Sequence, residues 1–66
     1  MSRVKVKNYL IQWWLSDHYP KHVHIFKNGL YVGKIEVPSM LILDKRRRIP
    51  KMVLNKIEDL IKQGVI

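Results

Sequence analysis

His22-Val23-His24-Ile25-Phe26-Lys27-Asn28-Gly29-Leu30-Tyr31-Val32-Gly33-Lys34-Ile35-Glu36-Val37 is the stretch from which the fold is read. Asn28-Gly29 suits a two-residue type I′ turn, because both residues tolerate the positive φ such a turn requires. Strands are predicted over about 22–27 and 30–37, the second stopping at Pro38. An unbroken register from this turn pairs Phe26 with Tyr31, Ile25 with Val32, His24 with Gly33, Val23 with Lys34 and His22 with Ile35. One face then carries Val23, Ile25, Leu30 and Val32. The other carries His22, His24, Phe26, Tyr31, Ile35 and the bare Gly33, whose missing side chain would leave His24 open to a ligand.

Upstream, Arg3-Val4-Lys5-Val6-Lys7 alternates basic and β-branched residues. It reads as a short edge strand or a basic arm. After Asn8, Tyr9, Ile11, Trp13 and Leu15 share one face of an extended segment, and Leu10, Gln12 and Trp14 share the other. Aromatics on both faces fit a central strand. Most of the aromatic side chains are expected in the core, and one of Trp13 and Trp14 on the open face, where it would stack on a base or anchor a dimer.

Downstream, Met40-Leu41-Ile42-Leu43 forms a fourth strand or a tucked connection, and Asp44-Lys45-Arg46-Arg47-Arg48 forms a basic loop. Pro50 suits a first helical turn. Val53, Leu54, Ile57, Leu60 and Ile61 recur at helical spacing, Glu58 and Lys62 are an i, i+4 pair, and Gly64 is a natural terminator. The expected fold is α+β: a three- or four-stranded, mainly antiparallel sheet with one C-terminal helix packed on its aliphatic face. Residues 1–66 make a single domain, and the histidine–aromatic face is left for solvent, a partner or a second copy.

Composition narrows the function. Thirteen Lys and Arg against five Asp and Glu give a net charge of +8 in only 66 residues. That predicts attraction to polyanions: nucleic acid, an acidic protein or an anionic membrane surface. Nucleic acid, with RNA favoured, is the leading expectation. No apolar run approaches the ~20 residues a membrane helix needs, and the first residues lack the apolar block of a signal peptide, so a cytoplasmic location is expected. With no cysteine there is no thiolate nucleophile and no disulfide framework.

All three histidines fall within Asp17-His18-Tyr19-Pro20-Lys21-His22-Val23-His24. His22 and His24, two apart on a strand, project from the same face. His18 and Asp17, from the preceding loop, can join them. Three readings follow. His24, His22, His18 and Asp17 act as acid/base groups in metal-free RNA cleavage, with cations stabilising the phosphorane-like charge. Alternatively, His18, His22 and His24 hold a metal ion in a hydrolase. In the third, these side chains only brace the loop. No metal and no cofactor is favoured. Lys21, Arg46, Arg47, Arg48 and Lys51 are the candidate phosphate contacts, since cations before a helix N-terminus oppose its dipole but combine with its free N–H groups to attract anions. A protein partner is the competing expectation: an acidic neighbour, or a homodimer through the open face.

Asp17, His18, Pro20, His22 and His24 resemble the Asp-His-x-Pro-x-His-x-His signature of the short bacterial proteins carrying the domain of unknown function numbered 4160. Ile49-Pro50-Lys51 and Leu54 resemble that family's helix start, and the resemblance spans roughly residues 8–60. It implies a strand, a hairpin and a helix, and a place in a two-gene toxin–antitoxin cassette. Lys21 departs from the second proline often found there, and Arg46-Arg47-Arg48 is more basic than the family pattern. A fainter likeness, in fold and charge, is to HicA-type messenger RNA interferases, whose leading helix and Gly-Ser-His segment are absent here.

Overall fold

The computed structural model describes residues 2–14 and 21–66. The chain forms strands β1 (Ser2–Val6), β2 (Tyr9–Trp13), β3 (His22–Lys27), β4 (Leu30–Glu36) and β5 (Ile42–Lys45), then helix α1 (Lys51–Lys62). The strands pair in chain order, β1-β2-β3-β4-β5, each antiparallel to its neighbour. This is the expected α+β class with one strand more than three or four. Arg3-Val4-Lys5-Val6 is the edge strand, turned into β2 through Lys7 at φ 52°. Residues 42–45 form the opposite edge.

The Asn28-Gly29 turn has φ of 50° and 81°, the left-handed conformation that type I′ geometry demands. Its first two pairs, Lys27 with Leu30 and Phe26 with Tyr31, follow the expected register. The register then shifts. Val32 and Gly33 together occupy the space opposite Ile25, so His24 pairs with Lys34, Val23 with Ile35 and His22 with Glu36. This is a β-bulge, one extra residue on β4. It corrects two assignments of the unbroken register. Ile35 belongs to the buried face, and Lys34 to the histidine face. Gly33 does not leave a gap beside His24. A Cβ there would stand 2.5 Å from the Asp44 carbonyl oxygen and 3.4 Å from Ile49 Cδ1, so glycine is what lets β5 pass close to β4.

Ile11, Trp13, Val23, Ile25, Val32, Ile35 and Val37 from the sheet meet Ile49, Val53, Ile57 and Leu60 in one core. Leu54 and Ile61, on the margins of the helical stripe, are half-buried against it. Each fully buried Val or Ile contributes roughly 1.5–3 kcal/mol relative to exposure, which is how so short a chain holds a sheet. Pro50 occupies the N-cap position, just outside α1, and its carbonyl accepts from the Val53 and Leu54 N–H groups. At the other end Gly64, at φ 74°, donates to Ile61 and Val65 donates to Leu60. That pair of bonds is a Schellman motif, the stop expected from Gly64.

Placing a methyl group at Gly33 forces backbone against backbone at the β4–β5 seam. Gly33→Ala should lower the unfolding free energy by roughly 1–3 kcal/mol, read from urea denaturation. An unchanged midpoint would contradict the close approach.

Candidate nucleic-acid interface

Because α1 covers one side of the sheet, the side chains of opposite parity form a second face that no described element covers. Register sets its rows. Arg3, Gln12, His24, Lys34 and Asp44 lie side by side across all five strands. Lys5, Leu10, Phe26 and Tyr31 form the next row. His22 and Glu36 pair on the far side of the His24 row. Trp13 points into the core at 4% exposure while Trp14, next in sequence, is 38% exposed. The doublet is thus split between faces, as alternation requires.

The rings of this face touch one another. Trp14 meets His24 with centroids 5.0 Å apart and planes at 89°. His22 meets His24 at 4.9 Å and 70°. His24 and Tyr31 lie 6.5 Å apart, and Phe26 and Tyr31 5.8 Å apart at 65°. These are mostly edge-to-face contacts, the arrangement ring quadrupoles favour.

Asp44 fixes one end of the row. The Tyr31 hydroxyl donates to Asp44 Oδ2 at 3.2 Å, and Arg46 Nε approaches the same oxygen at 3.4 Å. Partial burial pushes the Tyr31 phenol above its ordinary pKa, and the Asp44 hydrogen bond and charge push it further, with Arg46 opposing. Burial also pushes the Asp44 carboxyl up. The Tyr31 hydrogen bond, the Arg46 charge and hydrogen bond, and the Lys45 N–H outweigh it and hold the group below the usual carboxylate range. The pair therefore keeps a neutral phenol and a charged carboxylate across the neutral range.

His22 and His24 are brought together as the spacing predicts. Asp17 and His18 lie outside the described residues. Among the described residues no group of three or more His, Cys, Asp or Glu stands close enough to hold a metal ion. Lys21, half-buried beside His22, lines a pocket with Trp13, Trp14 and the C-terminal Val65 and Ile66. Arg46 joins the open face through Asp44. Arg47 and Arg48 are exposed on the connection to α1, and Lys51 is exposed at its first residue. Arg47 is anchored there by a backbone bond to Val32. The basic run therefore splits, with its first arginine on the face and the other two beyond it.

Sequence reasoning did not assign Arg3, Lys5 or Lys34 to this face. The alternation of residues 3–7 contained the signal for the first two, once β1 is taken as a paired strand. For Lys34 the signal was Gly33, since an isolated glycine inside a strand marks a bulge. No family model, curated protein or solved structure matches the chain.

Asp44→Asn removes the charge and weakens the hydrogen bond that raise Tyr31. Spectroscopic titration of the tyrosines should then find Tyr31 deprotonating at lower pH than in the native protein. Because a raised phenol pKa favours folding below the unfolded value and loses that contribution as pH climbs through the folded one, the variant should also lose less stability between neutral and strongly alkaline pH. An unmoved Tyr31 titration would contradict the Tyr31–Asp44 contact.

Proposed function

We propose that this protein binds RNA through the uncovered face of its sheet. The observation that carries the reading is the composition of that face: a connected row of rings flanked by Arg3 and Lys5 on one side and Lys34 and Arg46 on the other. Cations supply sequence-independent attraction to phosphate, and aromatic rings supply surfaces for bases. The two acidic groups on the face among the described residues are engaged, Asp44 by Tyr31 and Arg46 and Glu36 by the Ser39 hydroxyl at 2.6 Å. An RNA partner fits a cytoplasmic protein. The resemblance of Asp17, His18, Pro20, His22 and His24 to the numbered family supports a role in a two-gene toxin–antitoxin module, with His22 and His24 the residues to test for cleavage.

Four phosphate contacts predict a salt slope, log K against log of salt concentration, of about −3 for a single strand. Lys5→Glu and Lys34→Glu should each weaken binding across all sequences and flatten that slope by about 0.7. Absence of binding at low salt, where phosphate contacts are strongest, would refute the reading.

A second reading, self-association, rests on a separate observation. Leu41, Ile42 and Leu43 are 58%, 45% and 40% exposed on or beside the unpaired edge strand β5. Three adjacent apolar side chains at a sheet edge favour association, which supports a seam at β5 over one on the open face. Sedimentation equilibrium should then find a concentration-dependent dimer that Ile42→Lys converts to monomer. A native protein that stays monomeric at high concentration would exclude it.

A further inference from the structure

Resting on the RNA reading above, we propose that the ligand is an unpaired strand, its bases lying against the Trp14–His24–Tyr31–Phe26 row and its phosphates against the flanking cations. Phosphates are exposed in duplex and single strand alike, so Arg3, Lys5, Lys34 and Arg46 do not discriminate between them. Ring faces are different. In a duplex each base covers its neighbours at about 3.4 Å, and an aromatic side chain has no face to meet. Only an unstacked strand offers one.

The row is built for such a strand. Its centroids are 5.0 to 6.5 Å apart, wider than the duplex repeat. Bases settling on successive rings must therefore be drawn out of their own stack. The planes of the Trp14–His24, His22–His24 and Phe26–Tyr31 pairs cross at 89°, 70° and 65°. In an edge-to-face pair the partner covers a face of at most one ring, whereas offset stacking would cover one face of each. Trp14, the most exposed aromatic side chain of the row, stands at one end. Phe26 lies between Leu10 and Tyr31 at the other. The sheet also presents these rings on a broad surface between cationic margins, with no described element projecting into a groove as major-groove readout requires.

The test compares a 12-mer RNA of mixed, G- and C-containing sequence without self-complementarity as a free strand with the same strand annealed to its complement, the duplex verified by its ultraviolet melting curve, by fluorescence anisotropy at low salt with the native chain. The free strand should bind at least about tenfold more tightly and quench tryptophan emission. Trp13 is buried, so the quenching should disappear in Trp14→Phe while most of the affinity remains. Trp14→Leu and Phe26→Leu should each weaken single-strand binding about 5- to 150-fold, the range of a lost base–aromatic stack. Both should leave the salt slope intact, and circular dichroism should confirm that each variant is folded. Equal affinity for the two forms, with the steep salt slope retained, would overturn this inference and leave the RNA reading standing. Full affinity in both leucine variants would do the same. Failure of both forms to bind would remove this inference and the RNA reading together.

Discussion

The missing side chain at Gly33 sets the relation between β4 and β5. The Asp44 carbonyl lies where a Cβ would need to be, so any larger residue would push the edge strand away. The bulge that brings Gly33 to that point also turns the rest of β4 over. Ile35 enters the core, Lys34 comes beside His24, and the Asp44 carboxylate reaches the Tyr31 hydroxyl from the neighbouring strand. The packing of the buried side and the chemistry of the uncovered side thus share one local irregularity, and neither follows from an ideal hairpin.

Much of the fold was legible because simple periodicities governed it. Asn28-Gly29 located the hairpin, alternation in residues 9–14 separated Trp13 from Trp14, and the spacing of Val53, Ile57 and Leu60 gave the buried stripe of α1. Register beyond the turn was not legible from an ideal pairing, because one extra residue in β4 inverts every later side chain. The β1–β2 turn was weakly marked for a different reason. Lysine at φ 52° is an uncommon choice, and the Lys7-Asn8 pair has no strong turn chemistry. Of the candidate site, the meeting of His22 and His24 and the roles of Phe26 and Tyr31 on one face were readable from strand parity. The contribution of Lys34 was signalled only by the lone Gly33 inside its strand, and the anchoring of Tyr31 by Asp44 depends on a contact between strands that sequence spacing does not encode.

The same economy that folds the chain explains why a face is left over. A single twelve-residue helix covers one side of a five-stranded sheet, and α1 lies against β1 and β2 on that side. The opposite side has no covering element among the described residues, yet it bears Trp14, Phe26 and Tyr31. Large rings half-exposed beside cations cost solvation without completing the core. A ligand that offers both apolar faces and negative charge satisfies them together, and nucleic acid does so in every nucleotide.

The central claim is that the uncovered face, and not the helix or the arginine run alone, meets the ligand. The most direct measurement is amide chemical-shift mapping of the isotope-labelled protein during titration with a short RNA. The account predicts shifts concentrated at Lys5, Trp14, His24, Phe26, Tyr31 and Lys34, with the exposed side of α1 unperturbed. Shifts confined to Arg47, Arg48 and the start of α1, or spread over its solvent side, would contradict it.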